Sequence, residues 1–436
     1  MKRALYKNLL SWKNSDKRKP LLLQGARQVG KTWLINEFGK SEYTDYIYLN
    51  FEENPDLGRL FVGNKTPAKL IENMSLVVGR KIHAEDTLIF FDEIQIAPEA
   101  LTSLKYFYEQ APEYHIIAAG SLLGVSVGKQ SSFPVGKINF MTLYSMTFIE
   151  YLVAAGEKLL AEKLTSMDKP ETLPEPVHNK LLEHLKIYLF LGGMPEVVQD
   201  YLNHRDIESV RQIQKEILEA YQRDFSKYAG ADQAIKTSEL WNSIPRQLAK
   251  ENKKFKYSDV RKHSRSTTFE QTIEWLKKAG LITIVSNINT PKLPLSGYAD
   301  YSKFKLFMHD TGLLAAMLNL SSRIIVQPSA IFSEYNGAFI ENYVSQQLIA
   351  EGNRDLFYWT SKSEAEVDFI LQIHDDVFPL EVKSGSSRNL KSLRSYAEKY
   401  HPKRIYRTST RNFIQSGDFI NIPLYACFLA GISTDK

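Results

Sequence analysis

One eight-residue stretch constrains the fold of this chain more than any other. In GARQVGKT, Gly25, Gly30, Lys31 and Thr32 have the spacing G-x-x-x-x-G-K-[ST], between the apolar run LLLQ and the amphipathic stretch WLINEF. A glycine-rich turn between a strand and a helix directs backbone N–H groups and the helix N-terminus at negative charge. The stretch therefore predicts a phosphate-binding loop on a parallel α/β sheet.

This loop is expected to bind the phosphates of ATP together with Mg²⁺. Lys31 can reach the β- and γ-phosphates, and the Thr32 hydroxyl can be a ligand of the metal ion. The residues expected to contact the nucleotide are Gly25, Ala26, Arg27, Gln28, Val29, Gly30, Lys31, Thr32 and Trp33.

An acidic motif follows another apolar strand, where Leu88–Phe91 run directly into Asp92 and Glu93. Phosphoryl transfer mainly requires positioning and charge stabilisation. We therefore expect Asp92 to orient Mg²⁺ and Glu93 to polarise the attacking water, with Lys31 as a second catalytic residue. The strand YHIIAAGS ends at Ser121, whose hydroxyl either senses the γ-phosphate or belongs to a Gly-Ser turn.

Composition limits the class of protein. A chain of 436 residues is too long for one core and predicts about two to four domains. Its 43% hydrophobic and 24% charged residues are typical of a globular protein and exclude a disordered one. A single cysteine, Cys427, excludes an internal disulfide and favours a reducing compartment. No apolar run has the length of a signal peptide or a membrane span, so we expect a cytoplasmic protein with no membrane partner.

Four segments with different patterns divide the chain, and together they predict an α/β multidomain protein. Residues 1–155 alternate apolar runs with helix-like stretches, as in a parallel-sheet ATPase core. A proline-marked linker and a helical lid are expected at 156–232. Two helical stretches followed by a hairpin with a long tip predict a winged helix at 233–325. Residues 326–436 predict a C-terminal α/β domain.

The densest basic cluster lies in the predicted winged helix, between Lys250 and Lys278. If SRSTTFEQTIEW is the second helix of a helix-turn-helix, Arg265 at its start faces DNA, while Arg261 and Lys262 reach phosphates. The alternative is a solvated charged helix in a purely structural domain that serves as a lid or docking surface. Nucleic acid, with DNA favoured, is the expected partner on the first interpretation.

Three charged residues stand in two apolar strands of the stretch EVDFILQIHDDVFPLEVKSG. Because side chains alternate between faces along a strand, pairing these strands as a hairpin brings Asp368, Glu381 and Lys383 onto a common face. Glu341 lies in the small and apolar stripe of a preceding helix, where a carboxylate requires a cation or a metal. Glu341, Asp368 and Glu381 could ligate a second divalent ion, and Lys383 could activate water for attack on a phosphodiester.

This order of helix glutamate, strand aspartate and E-x-K resembles the PD-(D/E)xK nuclease superfamily, with Val367 standing where a proline is usual. The resemblance implies a nuclease-like C-terminal domain in which Lys383 is catalytic. The alternative is a buried ion-pair network in a nuclease-like fold that no longer cleaves nucleic acid.

The combination of GARQVGKT, LIFFDEIQ, AAGSLLG and GGMPEVV resembles a family of bacterial and archaeal AAA-type ATPases with a C-terminal domain of unknown function. The resemblance implies an ATPase core of the additional-strand class, a helical lid and homo-oligomerisation as one option. Related signalling ATPases place a Gly-x-Pro motif against the nucleotide base, and this motif corresponds to Gly193 and Pro195. Alternatively, Pro195 only begins a helix. Arg27, Arg223 and Arg246 are equal candidates for the charge-stabilising arginine.

Together these motifs predict a protein that binds and hydrolyses ATP and couples its nucleotide state to a C-terminal module. On the leading hypothesis, that module binds nucleic acid and could be a metal-dependent nuclease. The alternative is a signalling or scaffolding ATPase switch whose winged-helix and nuclease-like domains are catalytically inactive docking surfaces.

Overall fold

The computed structural model describes residues 1–120, 136–228, 230–250, 254–320, 337–353, 355–361, 365–384 and 390–430. The chain divides into two compact units. The first unit comprises Met1–Tyr144 and Lys278–Gly280, and the second comprises Ser145–Lys277 and Leu281–Lys436.

The first unit contains a five-stranded parallel sheet. Its strands are β1 Leu21–Gln24, β2 Asp45–Asn50, β3 Thr87–Asp92, β4 His115–Ala119 and β5 Asn139–Thr142. Their order is β2-β3-β4-β1-β5, and every neighbouring pair is parallel. β4 lies between β1 and β3, which confirms the additional-strand arrangement implied by the resemblance. The glycine-rich loop after β1 and the acidic motif at the end of β3 therefore lie at the same edge of the sheet.

Helices cover this sheet because each has an apolar stripe. They are α1 Leu5–Lys13, α2 Lys31–Glu42, α3 Pro67–Val78 and α4 Pro98–Gln110. α2 follows the glycine-rich loop directly and buries Leu34, Ile35 and Phe38. α3 and α4 each begin with proline, whose fixed φ suits the first helical position. The sequence correctly predicts the strand, loop and helix around the phosphate-binding motif.

The described part of the second unit contains helices both before and between the strands of its sheet. They are α5 Phe148–Ala154, α6 Lys158–Thr165, α7 Glu175–Leu191, α8 Pro195–His204, α9 Ile207–Tyr228, α10 Ala231–Leu248, α11 Tyr257–Val260, α12 Ser266–Lys278, α13 Thr311–Met317, α14 Gly337–Ala350 and α15 Lys391–Tyr400. A capping box at Thr147 and Glu150 fixes the start of α5. Helices are therefore present within 156–232, the segment for which a linker and a helical lid are expected.

An eight-stranded mixed sheet forms the other part of the second unit. Its strands are β6 Ile282–Ile288, β7 Ala299–Met308, β8 Leu356–Thr360, β9 Glu366–Ile373, β10 Asp376–Val382, β11 Ile405–Ser409, β12 Ile414–Ser416 and β13 Phe419–Pro423. Their order is β12-β13-β11-β10-β9-β8-β6-β7. β9 and β10 pair as the predicted antiparallel hairpin, with Leu380 opposite Phe369.

The hairpin predicted as the wing of a winged helix is part of the eight-stranded sheet. β6 and β7 pair antiparallel as predicted, but β6 also pairs with β8 in the parallel direction. Because β6 pairs with a strand on each side, both of its edges hydrogen-bond within the sheet, and Val285 and Ile288 are fully buried. The predicted boundary between residues 325 and 326 therefore divides strands that share one sheet. The winged-helix, lid and four-domain assignments stay predictions.

None of the helices in the described ranges combines the length and the apolar character that crossing a membrane requires.

Candidate functional site

The glycine-rich loop is held in place from two sides. Gly25 has φ 152° and Gly30 has φ 92°, conformations that favour glycine. A Cβ atom at Gly25 would lie 2.2 Å from the carbonyl oxygen of Leu143, so no larger residue fits there. The Arg3 guanidinium donates a hydrogen bond of 2.7 Å to the carbonyl of Val29. Arg3 was not predicted from the sequence, because its partner in the loop is distant along the chain.

Lys31 lies inside the loop. Its Nζ donates hydrogen bonds to the carbonyl oxygens of Gly25, at 3.0 Å, and Ala26, at 2.8 Å. Burial lowers the pKa of this ammonium to about 8, and the nearby carboxylates of Glu93 and Asp92 offset part of the effect. A phosphate in the loop would provide the anionic partner that a buried ammonium requires.

Thr32 and Asp92 form the pair of oxygen ligands expected for Mg²⁺. The Thr32 hydroxyl donates to Oδ2 of Asp92 at 2.8 Å, although the two residues come from different motifs. The Tyr48 hydroxyl donates to the same Oδ2 at 3.1 Å, and the Asn50 amide donates to the Tyr48 hydroxyl at 3.0 Å. A hydroxyl and a carboxylate are the hard oxygen donors that Mg²⁺ prefers, so these residues fit the ion.

Tyr48 and Asn50 were missed by the sequence analysis. Both lie on β2, where Asn50 is opposite Asp92 in the parallel register. The available signal was the run YIYLNF, whose polar side chains alternate along a strand next to the acidic motif. Residues that orient a metal ligand typically affect metal affinity strongly, so we include both in the site.

Glu93 has the surroundings of a general base. It has φ 52°, a left-handed conformation that is uncommon for residues other than glycine. Its backbone N–H donates to Oδ1 of Asp92 at 3.0 Å, and the Gln95 amide donates to its Oε2. Burial raises the pKa of Glu93. A carboxyl group with a raised pKa at the end of a core strand is a typical feature of a catalytic site. Gln95 was not predicted.

The other residues predicted to contact nucleotide differ in exposure. Ala26 and Val29 are buried, whereas Gln28 is exposed and has φ 65°. The Trp33 indole is 46% exposed at the start of α2, so it is accessible to a ligand. Arg27 lies 3.4 Å from the Glu52 carboxylate at the surface. Ser121 lies outside the described residues, and its role stays a prediction.

The GGMP motif has a packing role that the sequence did not show. The Gly193 N–H donates to Oδ2 of Asp310 at 2.7 Å, and a Cβ at Gly193 would lie 2.1 Å from the carbonyl oxygen of Met146. Burial raises the pKa of the Asp310 carboxyl to about 6. Pro195 is the first residue of α8 in the second unit. Its contact with the nucleotide base stays a prediction.

The geometry within the two units does not identify which arginine would stabilise charge on the nucleotide phosphates. Arg223 is exposed on α9, where it lies 3.7 Å from Glu219 one turn earlier. Arg246 is exposed in the last turn of α10. Together with Arg27, both stay candidates.

Two of the predicted carboxylates of the second unit, Glu341 and Asp368, lie around a lysine that was not predicted from the sequence. Nζ of Lys305, on β7, is 3.1 Å from Oε2 of Glu341, 2.6 Å from Oε1 of Glu366 and 3.9 Å from Oδ1 of Asp368. Lys305 and Glu341 are almost completely buried. Glu366 could have been found, because it is two residues before Asp368 and therefore on the same face of β9. Lys305 could not, because its strand is distant in sequence.

Glu381 and Lys383 form the other side of this cluster. Nζ of Lys383 lies 2.5 Å from Oε1 of Glu381. Oδ2 of Asp368 accepts a hydrogen bond of 2.8 Å from the N–H of Val382. Burial raises the pKa of Glu381, and the charges of Lys383 and Arg407 lower it in part. The four predicted residues therefore lie in one region of the second unit, but the Lys305 ammonium lies beside two of their carboxylates.

Proximity of these carboxylates does not by itself make a metal site, because a metal ion requires its ligands in a specific arrangement. Across the ranges that the structure describes, no group of three or more His, Cys, Asp or Glu residues is arranged to hold a metal ion. The metal role of Glu341, Asp368 and Glu381 and the catalytic role of Lys383 stay predictions.

The predicted nucleic-acid residues lie between α11 and α12, just before α12 begins at Ser266. Arg261, Lys262 and Arg265 are all exposed. The Arg261 guanidinium donates to both carboxylate oxygens of Glu239, at 2.9 and 2.8 Å. Part of the Arg261 charge is therefore already neutralised, while Lys262 and Arg265 remain accessible at the surface. Contact with DNA stays a prediction.

Comparison with known families divides the chain into three matched regions. Residues 17–152 match the family model of an AAA domain. Residues 182–323 and 336–426 match two further models, each described as a domain of unknown function. No curated protein gives a significant match.

Several solved structures resemble the chain at low identity. A Walker-type ATPase of Pyrococcus abyssi has 15% identity and a TM-score of 0.47, over 73% of this chain and 95% of that one. The Orc1 protein of Aeropyrum pernix in complex with DNA has 12% identity and a TM-score of 0.28, over 74% and 91%. The AMPPCP-bound DnaA of Aquifex aeolicus has 16% identity and a TM-score of 0.21, over 63% and 86%.

Because these TM-scores are all below 0.5, the assignment rests on the AAA family model and on the geometry of the loop. The parallel sheet, the glycine-rich loop and the pair formed by Thr32 and Asp92 all lie within the matched residues 17–152. This part of the chain is a P-loop ATPase domain of the AAA type.

Proposed function

We propose that this protein binds and hydrolyses ATP in a Mg²⁺-dependent reaction. The hydrogen bond of 2.8 Å between Thr32 and Asp92 carries the proposal, because it joins the end of the phosphate-binding loop to the acidic strand. Thr32 and Asp92 would hold Mg²⁺, which supplies charge neutralisation for the phosphates. The buried Lys31 ammonium lies in the loop, where it would stabilise the same phosphates.

Glu93 is the general base in this proposal. Its raised pKa makes this carboxylate a stronger base than an exposed glutamate, and the Gln95 amide orients it. The proton of the attacking water would pass to the Glu93 carboxylate as the water oxygen bonds to the γ-phosphorus. The bond from that phosphorus to the β–γ bridging oxygen would break at the same time, with ADP as the leaving group. Asp92 is already engaged by Thr32 and Tyr48, so the two neighbouring carboxylates have separate roles.

Two substitutions separate binding from chemistry. Lys31→Ala should abolish ATP binding, whereas Glu93→Gln should retain binding and lower ATP turnover by roughly 10²–10⁴-fold. Glu109→Gln is the matched control, since Glu109 lies at the surface and pairs with Lys137. Fluorescent-nucleotide binding and phosphate release would be measured on the same preparations. Wild-type turnover by Glu93→Gln would remove Glu93 from the reaction, and lack of ATP binding by the wild type would overturn the proposal.

We propose further that the second unit responds to the nucleotide state as a docking module rather than as a nuclease. The observation that favours this alternative is the contact of Lys305 with Glu341, Glu366 and Asp368, because these three carboxylates already have a cationic partner. Arg261, Lys262 and Arg265 would provide the contacts if the docked partner is nucleic acid. ATP turnover that increases with added DNA would support a nucleic-acid partner. Nucleotide-dependent oligomerisation that is indifferent to DNA would support a protein scaffold.

The nuclease alternative has its own test. Cleavage of DNA or RNA by the wild type with Mg²⁺ or Mn²⁺, lost in Lys383→Ala, would contradict the docking proposal for this unit. Absence of cleavage on single- and double-stranded substrates would agree with it.

A further inference from the structure

Lys305 is an unusual residue for the interior of a sheet. Its side chain is 1% exposed on β7, between Phe304 and Leu306 in an otherwise apolar run. Lysine is almost never fully buried unless it is paired. Its charged end contacts carboxylates from two other elements, α14 and β9. The long side chain therefore brings one positive charge to the centre of the acidic cluster.

The charge state of Lys305 follows from its partners. Burial alone would lower the pKa of the ammonium, but Glu341, Glu366 and Asp368 outweigh burial and raise the pKa above its ordinary value. Lys305 is consequently protonated at physiological pH. A buried ammonium beside three carboxylates is an electrostatic substitute for a bound cation.

The cluster still contains an oxygen without a partner. Oε2 of Glu381 is buried and has no hydrogen-bond partner among the residues that the structure describes, although Oε1 contacts Lys383. The Glu381 side chain is 5% exposed, and the negative charge of Glu341 acts on it across the cluster. A buried unpaired carboxylate oxygen is costly, and it indicates that this set of ligands suits a cation with more coordination positions than one ammonium.

Charge balance leads to the same conclusion. The carboxylates are Glu341, Glu366, Asp368 and Glu381, and the cationic side chains are Lys305, Lys383 and Arg407. Among the residues that the structure describes, these contacts therefore join four carboxylates to three cationic side chains. Replacement of Lys305 by a neutral residue would leave a surplus of two negative charges, which is the charge of one divalent cation.

We propose that Lys305 is the resident cation of this cluster, and that its ammonium occupies the place of a divalent metal and excludes one from the wild-type protein. In the absence of the Lys305 amine, Glu341, Glu366, Asp368 and Glu381 become oxygen ligands for a hard divalent ion such as Mn²⁺ or Mg²⁺. Carboxylate oxygens are the ligands that these ions prefer. The proposal does not depend on ATP hydrolysis, because every residue in it belongs to the second unit.

The experiment measures Mn²⁺ binding to the full chain, without nucleotide, by electron paramagnetic resonance of free Mn²⁺. Lys305→Ala should bind one Mn²⁺ more per chain than the wild type, and the double variant Lys305→Ala/Asp368→Asn should lose that additional ion. Mn²⁺ should also raise the Tm of Lys305→Ala and leave the Tm of the wild type unchanged. Lys303→Ala is the matched control, since Lys303 is on the same strand but is exposed and pairs with Asp300.

Two results would overturn the proposal. One is a folded Lys305→Ala variant that binds no more Mn²⁺ than the wild type. The other is Mn²⁺ binding by the wild type that Asp368→Asn abolishes. This second measurement decides the matter even where Lys305→Ala fails to fold, because a wild type that lacks an Asp368-dependent Mn²⁺ site agrees with a lysine in the place of the metal.

Discussion

Burial in the phosphate-binding loop determines both the pKa and the hydrogen bonds of Lys31. The side chain is buried in a loop of backbone carbonyls, and burial lowers the pKa to about 8. Its carbonyl partners carry no net charge, so they replace only part of the lost hydration. The lysine is thus positioned for an anion before one is bound.

A pH dependence of ATP binding follows from this lowered pKa. Bound phosphates would raise the pKa of Lys31, so above pH about 8 the complex holds more protons than the free protein. ATP binding should then take up a proton and weaken as the pH rises from about 8 toward the ordinary lysine value of 10.5. Isothermal titration calorimetry near pH 8 to 9, in two buffers of different ionisation enthalpy, measures this uptake.

The matched variant for that measurement is Lys31→Arg. Arginine does not lose its proton in this range, so any ATP binding by Lys31→Arg should occur without proton uptake. An equal uptake by Lys31→Arg and the wild type would assign the proton to another group.

Among the elements of the first unit, β2 has a role that goes beyond sheet formation. It places the Tyr48 hydroxyl 3.1 Å from the carboxylate of Asp92, and Asn50 supports that hydroxyl. Tyr48→Phe should therefore raise the Mg²⁺ concentration at half-maximal ATP turnover by about 10-fold or more, because loss of a hydrogen bond to a metal ligand typically lowers metal affinity. ATP turnover as a function of Mg²⁺ concentration provides the measurement.

Tyr46→Phe is the control for that substitution. Tyr46 is on the same face of β2, but its hydroxyl donates to Asn36 of α2 rather than to Asp92. If both variants shifted the Mg²⁺ dependence equally, the effect would belong to β2 packing and not to the hydrogen bond.

β7 has a corresponding role in the second unit, because it brings Lys305 to the carboxylates of α14 and β9. Lys305→Met should lower the free energy of unfolding by about 3–5 kcal/mol, since it leaves buried carboxylates without their cation. Lys303→Ala should change it by less than about 0.5 kcal/mol. Urea unfolding of both variants gives the two values. A loss for Lys305→Met no greater than that for Lys303→Ala would show that the cluster is hydrated rather than buried.

How far the sequence predicts this structure depends on the distance between partners along the chain. The phosphate-binding loop and the β9–β10 hairpin were predicted correctly, because each is specified by spacing within about 20 residues. The pairing of β6 with β8 was missed, since their residues are about 70 positions apart and no local pattern connects them. Lys305 was missed for the same reason. A lysine in an apolar strand is the only local signal, and it does not identify the carboxylates that it contacts.

At the scale of the whole molecule, a P-loop ATPase domain occurs in the same chain as a unit built on an eight-stranded mixed sheet. The docking proposal and the nuclease alternative for this second unit differ in whether the unit cleaves what it binds. Exposed basic residues just before α12 favour an anionic partner, and the paired carboxylates around Lys305 favour a domain that binds without cleaving. Both features are satisfied by a module that docks on DNA in response to nucleotide.

Charge reversal at the start of α12 tests that combination. Lys262→Glu/Arg265→Glu should weaken binding to duplex DNA and reduce the salt dependence of the affinity, because a lysine or arginine that no longer binds a phosphate lowers the salt slope by about one unit. Arg261→Glu alone should have a smaller effect, since the Arg261 guanidinium is already paired with Glu239. Lys403→Glu, at an exposed lysine that pairs with Asp376, is the control for a change of charge elsewhere on the surface. Fluorescence anisotropy over a salt series gives both affinity and slope. If all three variants bound DNA equally at low salt, the basic residues before α12 would be a solvated surface, and the result would favour a protein as the docked partner.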